Sequence, residues 1–118
     1  MNTPDSVHFV RFSQLSSARQ AVVRLCQRLN FGQIHHMRVQ DGDPLFDPEP
    51  LVFIHVRLDT DNDPRLETQL KDFELRNEVV RLMASFDHIK NGVIERIDVR
   101  AGLPCRIVFE FQLQETLR

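Results

Sequence analysis

Two stretches of the sequence that lie sixty positions apart share one pattern of glycine, proline and apolar residues. Residues 32–44 and 92–104 both read G-x-I-x-x-h-x-V-x-x-G-x-P, where h is an apolar residue. The matched pairs are Gly32 and Gly92, Ile34 and Ile94, Met37 and Ile97, Val39 and Val99, Gly42 and Gly102, and Pro44 and Pro104. Chance does not readily place glycine and proline in register with apolar positions twice. The pattern therefore predicts a two-unit repeat, at about 13–59 and 73–113, inside a single domain of residues 1–118.

Each unit begins with apolar residues at helical spacing. They are Leu15, Ala18, Val22, Leu25, Cys26 and Leu29 in the first unit, and Leu75, Val79, Leu82, Met83, Phe86 and Ile89 in the second. Residues three and four positions apart share one face of a helix, so both units predict an amphipathic helix. Ser13 or Ser16 can cap the first helix, and Gly32 ends it. Asn91-Gly92 predicts a left-handed stop for the second helix, and Asp63-Pro64 marks a possible earlier start for it.

Strands follow each predicted helix. Met37 and Val39 alternate toward one face, as do their counterparts in the second unit, and turn sequences at 40–43 and 100–103 come next. The predicted return strands are Leu51–Asp59 and Arg106–Leu113, and Val7–Phe12 is a candidate edge strand. Three prolines, Pro44, Pro48 and Pro50, interrupt the first hairpin, because proline cannot donate to a sheet ladder.

These elements place the chain in the α+β class. The predicted architecture is two α-β-β units, offset by 60, that form one antiparallel sheet of four to five strands with two helices packed on one face. A sheet covered by helices on one side leaves its other side to solvent or to a partner.

The composition is that of a soluble globular domain, with 42% apolar and 27% charged residues. No apolar run approaches the roughly 18 residues of a membrane span, and the first residues lack the features of a signal peptide. We therefore expect a cytoplasmic protein with no membrane association. Its two cysteines, Cys26 and Cys105, are expected to stay free, because disulfides are rare in that compartment.

Charge is unevenly distributed, although the net charge is only −2. Residues 1–40 carry five basic groups and one acidic group, whereas residues 41–80 carry eleven acidic groups and four basic ones. A basic start beside an acidic middle indicates charge complementarity within one chain or between subunits.

Two histidines and two arginines are the candidate ligand-binding residues. His36 and Arg38 share one parity with Ile34 on the first strand, opposite the side of Met37 and Val39, and His55 and Arg57 share one on its return strand. All four are predicted on the open sheet face, where they could hold a small anionic ligand. The alternative is that they are exposed sheet residues or a dimer contact. The adjacent His35 and His36 should point to opposite faces unless a bulge intervenes, which argues against a two-histidine metal clamp.

A second candidate surface is the basic face of the first helix, with Arg19, Arg24 and Arg28 as possible nucleic-acid contacts. A protein that binds the phosphate backbone normally has a net positive charge, so the overall acidity argues against this role. The same arginines can instead be solvated or pair with an acidic segment.

Motifs for catalysis or cofactors are missing from the sequence. The acidic stretch 59–63 starts like a calcium loop, but Pro64 and Leu70 stand where a glycine and a glutamate are required. No nucleophile elbow, glycine-rich phosphate loop or zinc spacing occurs, so we predict no catalytic residue, no cofactor and no metal.

The sequence therefore favours a non-enzymatic protein-interaction or homodimerisation module, with a homo-oligomer or another protein as its partner. It would act through the open sheet face, where Phe53 and Val108 are available, or through an exposed edge strand. The alternatives are a small anion binder or enzyme that uses the histidine and arginine set, or a weak nucleic-acid binder that uses the first helix.

Overall fold

The computed structural model describes residues 11–110. Its elements are α1 (Ser17–Leu29), β1 (Gly32–Gln40), β2 (Asp43–Leu45), β3 (Leu51–Ile54), α2 (Asn77–Ile89), β4 (Gly92–Arg100) and β5 (Leu103–Phe109). Short 3₁₀ helices lie at Phe12–Gln14 and Leu66–Gln69. Neither α-helix in this part of the chain has the length and apolar character needed to cross a membrane.

All five of these strands belong to one antiparallel sheet. β1 and β4 pair with each other at its centre, and β5 pairs with the other side of β4. On its remaining side, β1 pairs first with β3, along 32–35, and then with β2, along 38–40. The predicted α+β class is confirmed.

Helix and strand bounds in the two halves differ by the same sixty positions, since α1 and α2 begin and end at that offset, as do β1 and β4. The two-unit repeat itself stays a prediction, and superposition of residues 13–58 on residues 73–113 is its test. The packing of both helices on one sheet face also stays a prediction.

Helix ends differ in part from the expectation. The Ser16 hydroxyl accepts a hydrogen bond from the Arg19 amide and caps α1, as predicted. The left-handed residue after α2 is Lys90, with φ of 59°, rather than Asn91 or Gly92. The earlier start at Asp63-Pro64 is wrong. Residues 72–75 are instead held extended against the segment before α1, where the Phe12 amide donates to the Phe73 carbonyl at 2.9 Å.

One apolar core receives residues from both helices and both central strands. Phe86, Val22, Ile34 and Ile94 are among its fully buried side chains. The burial of Ile34 corrects the sequence-based placement, which put it on the face opposite Met37. His36 has a φ of 60°, and this left-handed residue interrupts the alternation so that Ile34 and Met37 are both buried.

The first return strand is shorter than predicted. β3 covers only Leu51–Ile54, and Val52, Ile54, Val56 and Leu58, expected to share one face of a longer strand, are 43%, 59%, 60% and 96% exposed. The chain leaves the sheet after His55, because the Asn62 side chain binds both the amide and the carbonyl of Arg57 and closes a loop. The prolines break this side of the sheet into β2 and β3, as expected.

The second return strand begins earlier than predicted, at Leu103, and β5 extends to Phe109. Glu110, which follows β5, is not part of a strand. The remaining positions of the predicted strand Arg106–Leu113 are 111–113, and they lie outside the described residues. Most of the candidate strand Val7–Phe12 also lies outside the described residues, and Phe12 itself begins a 3₁₀ helix.

Gly42 and Gly102 occupy two-residue hairpin turns, as the repeated motif predicts. Both residues of each turn have positive φ: 52° and 80° for Asp41 and Gly42, and 52° and 77° for Ala101 and Gly102. Turns of this kind match the right-handed twist of the strands they join. The Gly42 amide donates to the Lys90 carbonyl at 2.9 Å, and the Gly102 amide donates to the Asn30 carbonyl at 2.8 Å.

A glycine substitution pair tests this turn geometry. Gly42→Ala should lower the free energy of unfolding by about 1–2 kcal/mol, because its φ of 80° is left-handed and its new Cβ would lie 3.2 Å from Arg19. Gly92→Ala is the control, since Gly92 lacks a positive φ and its Cβ would approach only Ile89, at 3.3 Å. Chemical denaturation of both variants measures the difference. Equal losses would contradict the assignment of the left-handed turn.

Candidate functional site

His36 and Arg38 lie on β1 and are exposed. His36 Nδ1 is 3.5 Å from Glu95 Oε2 on the neighbouring strand. Arg38 stands between Leu45 and Val93 in the sheet. The His35 and His36 rings are 6.2 Å apart between centroids, in an edge-on arrangement, and His36 has a positive φ of 60°.

His55 and Arg57 follow β3, near the start of β1. The His55 amide donates to the Phe31 carbonyl at 2.6 Å, just before β1 begins. The Arg57 guanidinium group is 4.3 Å from the centroid of the Phe31 ring, and it donates to the Asp61 carbonyl. Phe31 and His36 are five positions apart along the extended chain, which corresponds to about 16 Å. The strand register therefore separates the predicted four-residue set into two pairs.

A groove at the end of the sheet brings His55 together with residues that the sequence analysis did not connect to it. We call it the sheet-end groove. Its volume is about 540 Å³, and it is lined by Phe31, Gly32, Gln33, His55, Asp98, Val99, Arg100, Cys105 and Arg106. A volume of this size lies within the ordinary range of small-molecule sites.

Asp98 is the buried charge of this groove. It is only 9% exposed and lies on β4 between two apolar core residues, Ile97 and Val99. Asp98 Oδ2 accepts from Arg106 Nε at 2.8 Å, and Asp98 Oδ1 lies 3.0 Å from Arg96 Nε. Burial of a carboxylate requires such compensation. The sequence pattern did not mark Asp98 as buried, and its contact with Arg106 depends on the pairing of β4 with β5.

The arginines of the first helix are placed differently from the predicted nucleic-acid surface. Arg19 is 6% exposed, donates to the Gly42 carbonyl and pairs with Asp87. Arg24 lies 4.4 Å above the Phe12 ring and donates to carbonyls of residues 67, 68 and 70. Of the three, Arg28 is exposed and makes no contact with another charged or polar group within residues 11–110. The predicted basic patch is therefore reduced to one free arginine.

The cysteines are both free and have opposite environments. Burial raises the pKa of the Cys26 thiol to about 12, so this thiol forms almost no thiolate near neutral pH. Cys105 is exposed and lines the sheet-end groove.

β3 forms a second notable surface, the β3 edge, which we define as residues 51–54. All four of its side chains are apolar and between 43% and 59% exposed. The Phe53 ring contacts the His35 ring, with 4.8 Å between centroids. Among the described residues, β3 pairs only with β1, so its other side is open.

Comparisons with known proteins add no further assignment: no family model, no curated protein and no solved structure matches this chain. Within residues 11–110, no three histidine, cysteine, aspartate or glutamate side chains are grouped closely enough to hold a metal ion.

Thiol labelling tests the two cysteine environments. Iodoacetamide should modify one thiol per folded chain, at Cys105, because Cys105 is exposed whereas Cys26 is buried and its pKa is raised to about 12. Mass spectrometry of the labelled chain gives the count, and unfolding in guanidinium should raise it to two. Cys105→Ser should abolish labelling of the folded chain. Labelling of Cys26 at a similar rate would contradict its burial in the core.

Proposed function

We propose that this protein is a non-enzymatic interaction module that forms a homodimer through the β3 edge. The observation that carries the proposal is a run of four exposed apolar residues on a strand with one open side. Proteins usually protect such edges with charged side chains, prolines or bulges, because an open edge pairs readily with another strand. Leu51–Ile54 contains none of these devices.

Hydrogen-bonding groups on this edge face outward. In an antiparallel ladder, alternate residues bond to the neighbouring strand. His55 bonds to Phe31, so Phe53 and Leu51 follow it in bonding to β1. The amides and carbonyls of Val52 and Ile54 are then directed away from β1. They are available to a further strand, as in recognition by strand addition.

A second copy of the chain is a complementary partner for this edge. A twofold axis beside Phe53 sets Val52 opposite Ile54 of the partner subunit, which allows both outward residues of each copy to exchange hydrogen bonds. The two Phe53 rings then lie side by side. Glu49 and Arg57 lie just outside β3, and the same register would bring Glu49 near Arg57 of the partner subunit, so opposite charges would flank the apolar centre.

The nucleic-acid alternative has less support. Two of the three arginines that would carry it, Arg19 and Arg24, already bind groups of their own chain. Neutralisation of several phosphates requires several free basic groups.

Light scattering coupled to size-exclusion chromatography tests the dimer. The wild-type chain should have a mass near twice 13.8 kDa at high concentration. Ile54→Lys should raise the dimer Kd at least about tenfold, because each twofold interface loses the apolar contact twice. The matched control is Leu66→Lys, because Leu66 is 85% exposed and lies outside the sheet, in the second 3₁₀ helix. A wild-type monomer at every concentration, or equal effects of both variants, would overturn the proposal.

Charge reversal tests the strand register. Glu49→Arg should weaken the dimer, because it faces Arg57 of the partner subunit with a like charge. The double variant Glu49→Arg with Arg57→Glu should restore the Kd toward the wild-type value. If the double variant is no tighter than the weaker single variant, the register centred on Phe53 is wrong.

A further inference from the structure

We propose that the sheet-end groove binds a small anion through a phosphate or carboxylate group. The proposal concerns a site separate from the β3 edge and does not depend on dimerisation. Two guanidinium groups, Arg100 and Arg106, and the imidazole of His55 line one groove of about 540 Å³. Guanidinium groups bind phosphate and carboxylate oxygens in paired hydrogen bonds.

Arg100 is the free cation of the groove. It is exposed, and no hydrogen bond or ion pair joins it to another side chain within residues 11–110. Its cross-strand neighbour is Leu103, an apolar residue that offers no counter-charge. An anion in the groove would supply the missing counter-charge.

Asp98 does not cancel this positive charge at the surface. Its side chain is 13% exposed, whereas the side chain of Arg106 is 68% exposed. Arg96 and Arg106 both form ion pairs with Asp98. Together with Arg100, which lines the groove, three guanidinium groups therefore accompany one carboxylate. A ligand that enters the groove therefore meets arginine nitrogens before it meets the buried carboxylate.

The walls of the groove suit a small organic anion. Phe31 provides an apolar wall, and the Arg57 guanidinium group lies over its ring at 4.3 Å and adds positive charge near the rim. Gln33 and His55 add polar side chains on the strands that border the groove. Polar surface outweighs apolar surface in the lining of the groove, which suits a charged ligand with a small organic part.

Two-dimensional NMR titration tests the site, with inorganic phosphate and succinate as separate probes at constant ionic strength. Saturable amide shifts confined to residues that line the groove are expected for at least one probe. The arm that saturates shows whether the site takes phosphate or carboxylate. No saturable shift with either probe would overturn the proposal.

Arg100→Ala should raise the Kd of the bound probe at least about fivefold, because it removes the free cation. Arg28→Ala is the matched control, since it removes an equally exposed arginine outside the groove. Equal weakening by both variants would show that the anion responds to overall charge and would overturn the site. The Ile54→Lys variant should bind the probe as the wild type does, which separates this outcome from that of the dimer.

Alkylation of Cys105 gives an independent readout. Cys105 lines the groove, so the bound probe should slow its reaction with neutral iodoacetamide in the wild-type chain and not in Arg100→Ala. An unchanged reaction rate at a saturating concentration of the probe would contradict binding in the groove.

Discussion

In each half of the chain, the hairpin turn donates one backbone hydrogen bond to the residue that follows the helix of the other half. The hairpin turn at Gly42 donates to Lys90 after α2, and the turn at Gly102 donates to Asn30 after α1. Both acceptor residues have a positive φ near 60°, which directs the carbonyl at each helix end toward the turn. Arg19 strengthens the first contact, because it binds the Gly42 carbonyl and Asp87 together. The last carbonyl at each helix end is therefore satisfied by the hairpin of the other half, which joins the two halves through backbone hydrogen bonds.

Glycine and proline made this architecture predictable, because their backbone restrictions are local and visible in sequence. The turns at Gly42 and Gly102 and the interruption of the first return strand follow directly from them. The positive φ of His36 carried no such signal, and it reversed the alternation on β1 that had placed Ile34 outside the core. The late start of α2 was also hidden, because it depends on long-range pairing between the segments at Phe12 and Phe73.

Charge complementarity, which the uneven distribution of acidic and basic residues indicated, is present within the chain. Arg11 binds Asp72 at 2.8 Å, and this hydrogen bond is the main reason that the pKa of Asp72 falls to about 2. Arg24 binds carbonyls at the 3₁₀ helix formed by Leu66–Gln69. Arg11 and Arg24 thus hold residues 67–72 against α1 and the segment that precedes it. The candidate site in the structure differs from the predicted one for a related reason. Whether an arginine has an acidic partner depends on which strands pair. Sequence periodicity predicts which face of a strand a residue lies on, but not which strand lies beside it.

The β3 edge and the sheet-end groove meet at His55. This residue directly follows β3, its amide donates to the Phe31 carbonyl, and it is one of the residues that line the groove. The outward amides and carbonyls proposed for strand pairing belong to Val52 and Ile54 on β3. The guanidinium groups proposed for the anion belong to Arg100 on β4 and Arg106 on β5. The proposed dimer contact and the proposed anion site therefore use different groups, and either can be occupied without the other.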